Sequence, residues 1–331
     1  MSRTWNNEFI VMEDQIVVSI LCTAYNHEPY IRQCLDGFVM QKTNFKFEAI
    51  VHDDASTDNT ASVIREYAEK YPDIIVPIYQ TENQYRKTNI YSTYLYPKAK
   101  GKYIAICEGD DYWIDPYKLQ KQVDFLDANP EYSMCFANAI EHWEDGEKED
   151  KCFSNVEDRD YTGVEIYENW IVPTASVLYR KEIAFSDRFK EVTSNKNFIF
   201  GDIVWFLICA EFGKLRGMSD VVSVYRRHNN GLTSKKNQSL ERSIKFAYHQ
   251  RELGLVFGKD KTILDVSKRN TCSLFVHMFF KYMQKNGLFF LRESLSISYS
   301  YTIKYLLRYL LKGFNKICNK LKSIIVNNVK C

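Results

Sequence analysis

Between Ile16 and Ala139 the chain repeats one pattern, a short run of apolar and often β-branched residues followed by a stretch whose apolar residues recur at helical spacing. The runs are Ile16 to Cys22, Phe47 to Val51, Ile74 to Tyr79, Lys102 to Cys107 and Ser133 to Ala139. Such alternation predicts an α/β fold, a mostly parallel central sheet flanked by helices, because a parallel strand is reached only through a crossover long enough to hold a helix. The first run carries no polar alternation, as expected of a central strand covered on both faces. Helices are predicted from Glu28-Pro29 to Val39, over about 59–70 with Asp58 as N-cap, in a short aromatic stretch before Gly101, and from Asp115-Pro116 to Ala128. Further along, Ile171 to Tyr179 and Val221 to Tyr225 read as strands, Asp202 to Phe212 as a helix closed by Gly213, and the chain from about Leu240 as helical.

A chain of 331 residues with 45% hydrophobic and 26% charged residues can bury a large core. Its 44 Lys and Arg against 42 Asp and Glu leave a net charge of +2. That balance does not suit a chain whose main partner is a nucleic acid backbone. The nine cysteines include no pair at two- to four-residue spacing, which removes zinc-ribbon and CxxC readings; Cys22, Cys107 and Cys135 lie in apolar runs and read as reduced core thiols of a cytoplasmic chain. Neither a signal peptide nor a run long enough to span a bilayer is expected. Residues 141–160 hold nine acids against three bases and read as a solvated loop, not a metal site.

In a parallel α/β sheet, ligands bind beyond the carboxyl ends of the strands. Three predicted strands end in polar clusters: Thr23-Ala24-Tyr25-Asn26-His27, Asp53-Asp54-Ala55-Ser56 and Gly109-Asp110-Asp111. Taken singly, an Asp pair is an ordinary turn former. Paired carboxylates without a basic neighbour repel one another, and a hard divalent cation such as Mg²⁺ or Mn²⁺, or a hydroxyl-rich ligand, relieves that repulsion. Neither GxGxxG nor GxxxxGK[ST] is present, so any phosphates held here need metal to neutralise them.

The segments "VSILCTAYNHEPYIRQCLDGFVMQ", "FEAIVHDDASTDNT", "GKYIAICEGDDYW" and "FGDIVWFLICAEFGKLRGMSDVVSVYRRH" resemble, in order, the motifs of glycosyltransferase family 2, whose nucleotide-binding half has the GT-A fold. The resemblance runs from Val17 to about Ser234. It implies an inverting transferase that moves a sugar from a nucleotide-diphosphate donor, a UDP-sugar first, to a glycan or lipid-linked acceptor in bacterial surface polysaccharide synthesis. By resemblance Thr23, Ala24 and Tyr25 line the nucleotide pocket, Asp54 accepts the uracil N3–H, Asp110 sits by the ribose, and Asp111 binds the metal that bridges the diphosphate. His228, in Tyr225-Arg226-Arg227-His228, resembles a position near the diphosphate; imidazole is a metal ligand and arginines suit phosphate, while a surface histidine in a basic turn is the plain alternative. Asp202 resembles the catalytic base, and as a plain residue it is a helix N-cap. Gly201 stands where the family often has an acid. Pro173-Thr174-Ala175-Ser176 resembles a segment touching donor and acceptor, and Tyr112 and Trp113 are candidates to floor a sugar or to fill the core. The family's phosphate loop after the third strand is replaced by Glu82-Asn83-Gln84-Tyr85-Arg86-Lys87, where Arg86 and Lys87 are alternative diphosphate contacts. The implied domains are a lead-in at 1–15, a catalytic domain at 16–238 with a nucleotide-binding half (16–140) and an acceptor half (161–238), and a helical region at 239–331. A nucleotidyltransferase and an inactive sugar-nucleotide-binding scaffold are the competing classes.

No acid follows Glu293, whereas Lys304, Arg308, Lys312, Lys316, Lys320, Lys322 and Lys330 alternate with apolar residues. Five of these bases recur every four residues, which keeps them along one side of a helix. A basic amphipathic helix lies in the headgroup layer of an anionic membrane or packs on protein, and both readings are open.

Overall fold

The computed structural model describes residues 15–85, 87–229, 231 and 239–312. Arg86 and the basic residues Lys316, Lys320, Lys322 and Lys330 lie outside the described residues, as does the lead-in before residue 15. The strands are β1 (Ile16–Ala24), β2 (Lys46–Asp53), β3 (Ile75–Tyr79), β4 (Tyr103–Ile106), β5 (Tyr112–Trp113), β6 (Tyr132–Trp143), β7 (Lys151–Cys152), β8 (Asp160–Tyr161), β9 (Leu178–Arg180) and β10 (Lys214–Arg227). The helices are α1 (Ile31–Val39), α2 (Thr60–Lys70), α3 (Lys118–Ala128), α4 (Gly163–Asn169), α5 (Lys181–Phe185), α6 (Asp187–Thr193), α7 (Gly201–Phe212), α8 (Leu240–Phe257), α9 (Lys261–Lys281) and α10 (Met283–Ile297). The chain divides into two units, residues 1–191 with 205–231, and residues 192–204 with 232–331.

In the first unit the sheet runs β3-β2-β1-β4-β9-β6-β10-β5, with β7 and β8 on β6 and β10. Strands β1 to β4 are mutually parallel, as the alternation predicts. Beyond β4 the sheet becomes mixed, because β9 runs antiparallel to both β4 and β6, while β6 and β10 are parallel. The expected strand at 171–179 shrinks to Leu178–Arg180. Ahead of it Thr174–Ser176 forms a 3₁₀ turn, closed by the Ser176 hydroxyl on the Pro173 carbonyl at 2.7 Å. Pro173 cannot donate to a strand ladder, and its rigid φ starts the turn instead. α4 was not foreseen, although Thr162 and Glu165 form a full capping box at its start.

The core of this unit lies between the sheet and α1, α2 and α3, where Val18, Ile20, Leu35, Phe38, Val51 and Leu119 are closed to solvent or nearly so. Cys22, Cys107 and Cys135 are buried free thiols, as expected; Cys152 is exposed. One polar device sets the register where β4 begins. Buried Glu48 accepts from Ser19 Oγ and Lys100 N, each at 2.8 Å, and Ser19 Oγ in turn accepts from Gly101 N at 2.8 Å. A Cβ at Gly101 would stand 2.4 Å from Ser19 N, so the backbones meet only with glycine here.

The second unit is helical. α8 and α9 approach closely at Gly254, whose missing side chain makes room for Ser267, and Ser267 Oγ donates to the Gln250 carbonyl at 2.6 Å. Ala247, Phe275, Met278 and Phe290 form its apolar centre. Residues 192–204 group with these helices and not with the expected 161–238 half, and the α8 side chain of Glu252 gives part of the reason: it accepts from Asn195 Nδ2 at 2.7 Å.

Candidate functional site

All three polar clusters lie at carboxyl ends of β1, β2 and β4, and much of their polarity is spent joining them. The backbone turns through left-handed residues just past β1 and β2, at Asn26 (φ 52°) and Ala55 (φ 60°). For alanine this conformation costs roughly 1–2 kcal/mol, a strain typical of functional loops. Asn26 N–H donates to Ser56 Oγ at 2.9 Å, Thr57 N–H donates to Asn26 Oδ1 at 2.8 Å, and His27 N–H donates to Thr60 Oγ1 at 2.8 Å. The carbonyls of Thr23 and Ala24 accept from Gly109 N and Asp54 N, both at 2.9 Å. Thr23 and Ala24 therefore sit between the other two clusters, and Tyr25 beside them is 45% exposed.

The Asp54 carboxylate is buried and accepts two backbone N–H groups, from Gln84 at 2.6 Å and Tyr85 at 3.0 Å. It thus pins the loop after β3, a contact the sequence reading did not foresee. In that loop Lys87 pairs with Glu82 at 3.0 Å.

Asp110 and Asp111 follow β4 in different environments. Asp110 Oδ2 lies 3.0 Å from His228 Nε2 and 3.9 Å from His27 Nε2. Burial works against ionisation of Asp110, but the His228 hydrogen bond and the two imidazoles outweigh it and hold the carboxyl below its ordinary range. Asp111 is buried and accepts from Arg226 N at 2.9 Å; burial first, then the carboxylates of Asp110 and Glu108, push it well above the ordinary range. A cation standing beside the pair would offset that rise by favouring the charged form of Asp111. Gly109 lets the chain pass His27 and Ala24 at close range, since a Cβ there would meet His27 Nδ1 at 3.0 Å and Ala24 Cβ at 3.1 Å. The Nδ1 atoms of His27 and His228 are buried without a hydrogen-bond partner. Burial lowers the His27 pKa despite Asp110, so this imidazole favours the neutral form. The only sign of His27 in the sequence is its position in the polar cluster after β1.

The two arginines beside His228 are occupied by protein. Arg226 donates to the Asp110 carbonyl at 2.7 Å and to Gln33 at 2.6 Å, pairs with Glu144, and stacks on Tyr30 and Tyr112. Arg227 bonds Glu141 at 2.7 Å. Their expected fit to phosphate gives way to holding β10 against the site. Trp113 takes the core alternative: it is 2% exposed and donates from Nε1 to the Ala175 carbonyl at 2.7 Å. Asp202 stands in the first turn of α7, where its Oδ1 accepts from Ile203 N at 2.8 Å, and it belongs to the second unit. Among the described residues no three His, Cys, Asp or Glu side chains come together as a metal-holding group. Any cation bound beside Asp110 and Asp111 would draw most of its ligands from a diphosphate and water.

The mixed sheet with parallel β1 to β4, flanked by helices, has the GT-A glycosyltransferase fold. A sequence model described as Glycosyl transferase family 2 matches residues 19–185, half of the chain, and the chain belongs to that family. It is 38% identical over 217 residues to an uncharacterised protein of Mycobacterium tuberculosis, covering 65% of this chain and 60% of that one. It thus spans about 60% of the length of that relative. It is 27% identical over 233 residues to the Escherichia coli UDP-Glc:alpha-D-GlcNAc-diphosphoundecaprenol beta-1,3-glucosyltransferase WfaP, covering 68% of this chain and 83% of that one. Among solved structures it is similar in fold to Staphylococcus aureus TarS residues 1–349 in complex with UDP-GlcNAc, with a TM-score of 0.53 at 14% identity, over 86% of this chain and 91% of that one.

Proposed function

We propose that this chain is an inverting, metal-dependent glycosyltransferase that moves a sugar from a UDP-sugar to a glycan or lipid-linked hydroxyl in bacterial surface polysaccharide synthesis. The observation that carries the reading is the Glu108, Asp110 and Asp111 group at the end of β4, where Asp111 is buried among like charges. The UDP donor is supported by the names of the relative WfaP and the TarS complex. Thr23, Ala24 and Tyr25 line the nucleotide, Asp54 faces the base through its remaining lone pairs, and Asp110, oriented by His228, faces the ribose. A Mg²⁺ or Mn²⁺ ion held by Asp111 and His228 would neutralise charge on the departing diphosphate. The acceptor oxygen attacks the anomeric carbon opposite the diphosphate, its proton passes to the Asp202 carboxylate, and the bond to the diphosphate breaks with its electron pair leaving on UDP. The enzyme works in the cytoplasm, peripheral on the inner face of the membrane through its basic C-terminal segment, which suits a lipid-linked acceptor such as the one in WfaP's name.

Calorimetry with UDP and Mn²⁺ tests the donor site. Asp111→Asn is expected to abolish the Mn²⁺-dependent part of UDP affinity, and unchanged affinity would remove Asp111 from the metal site. Asp202→Asn is expected to keep UDP affinity while slowing turnover by about 10²- to 10⁴-fold, the usual worth of a positioned base.

A further inference from the structure

Residues 195–200 lead directly into α7 and Asp202, and within the second unit they are held by side chains of α8. Glu252 accepts from Asn195 Nδ2 at 2.7 Å and from Asn197 Nδ2 at 3.3 Å. Asn195 Oδ1 accepts from Asn197 N at 3.0 Å, and Phe198 N donates to the Asn195 carbonyl at 3.2 Å, so one turn carries both amides to the same carboxylate. Three residues earlier on α8, His249 is closed to solvent, and its Nδ1 accepts from Ile199 N at 3.4 Å. Accepting at Nδ1 places the imidazole proton on Nε2, which is buried without a partner. Phe198 and Phe200 set their edges against the His249 ring at 5.5 and 5.6 Å, and Phe246 stacks on it. An unpaired buried N–H is costly, and a packed aliphatic side chain here would avoid that cost but could not accept from Ile199.

We propose that Glu252 and His249 are positioning residues for the transfer reaction: they fix segment 195–200 and through it the direction of the Asp202 carboxylate. The proposal rests on the reading of Asp202 as the base. Neither residue touches substrate in this scheme. A base must lie within hydrogen-bond reach of the proton it takes, and a displacement of about 1 Å can cost on the order of 10²-fold in rate.

The experiment measures UDP release from UDP-glucose and UDP-N-acetylglucosamine with Mn²⁺, with water as the acceptor, alongside UDP affinity. Glu252→Ala is expected to lower kcat about 10- to 100-fold at unchanged UDP affinity. Glu252→Gln, whose carbonyl still accepts from Asn195, is expected to restore most of it, and His249→Phe, which keeps the ring packing but not the acceptor, to fall with Glu252→Ala. In an Asp202→Asn background Glu252→Ala should change nothing further, because there is no base left to misplace. Should Glu252→Ala fail to fold, Asn195→Ala breaks the same contact from the other side. Full activity of Glu252→Ala or Asn195→Ala, or an effect that simply multiplies with Asp202→Asn, overturns the clamp. Full activity of Asp202→Asn overturns the underlying reading of the base instead.

Discussion

Lys118 shows how far a single side chain can depart from what its letter suggests. Its Nζ is wholly buried, 2.8 Å from Gln122 Oε1 and 4.2 Å from the centre of the Trp113 ring, and burial pushes its pKa down to about 7. The unfolded chain keeps that proton up to about pH 10.5, so between pH 7 and 10 the unfolded state binds more protons and stability rises with pH. Unfolding free energy measured by urea at pH 7 and 9.5 should rise by up to about 3 kcal/mol, and Lys118→Met should lose that slope. The same sign of slope holds in a more acidic window for His249, whose pKa burial alone lowers to about 4. Its contribution is complete above about pH 6.5 and is lost as pH falls toward 4, by up to about 3 kcal/mol, a slope absent from His249→Phe. Asp110 and Asp111 are legible with the clusters after β1 and β2 because strand ends in a parallel sheet converge, whereas His228, bonded to Asp110, is reached only through the family resemblance. The burial of Lys118, the loop held by Asp54 and the occupation of Arg226 are not legible, since they depend on the Val177 carbonyl, the Gln84 amide and the Asp110 carbonyl, 59, 30 and 116 residues away.

Elements were most legible where pattern and packing agree. β1, β2 and β4 are buried on both faces over most of their length and stand where their apolar runs put them. The sequence pattern predicts only Val221 to Tyr225 of β10, which runs from Lys214, because its first half is polar and gains strand form by pairing along β6. The start of β4 depends on Gly101 against the β1 backbone. Gly101→Ala should destabilise the protein by about 1–3 kcal/mol, the cost of forcing a methyl into packed backbone, read as a lowered urea midpoint at unchanged m-value. Residues 299–312 form a helix with two kinds of face. Thr302 is buried, and Tyr301 and Tyr309 bond Asp265 and His277 of α9 at 2.7 and 2.5 Å. Away from these, Leu307, Leu310 and Leu311 are 54–61% exposed, and at 100° per residue they and Ile303 fall in one arc, with Lys304, Arg308 and Lys312 in the next. That arrangement suits a helix lying in a lipid interface or one packed on protein.

For the whole molecule, a net charge of +2 hides an acidic stretch at 141–160 and a run of bases after Glu293. No helix among the described residues is long and apolar enough to cross a membrane, so the proposed attachment is interfacial. Sedimentation with anionic vesicles should weaken steeply with salt and leave a salt-independent remainder from the apolar arc. Reversing Lys304, Arg308 and Lys312 to Glu should lower binding at least 100-fold at 0.1 M salt, at about 1 kcal/mol per base. Binding unaffected by the reversal, or a dimer that the reversal dissociates, would assign the face to protein contact. The alternation of β1 to β4 with α1 to α3, the acidic strand ends and the basic segment were determined by the sequence itself, because periodicity, turn chemistry and charge act over a few residues. Only the tertiary structure decided that β9 enters the sheet antiparallel, that the arginines beside His228 bind protein, and that residues 192–204 join the helical unit. Each of those outcomes depends on which distant groups are buried together, and burial sets the energy of a charge or a hydrogen bond more strongly than residue type does.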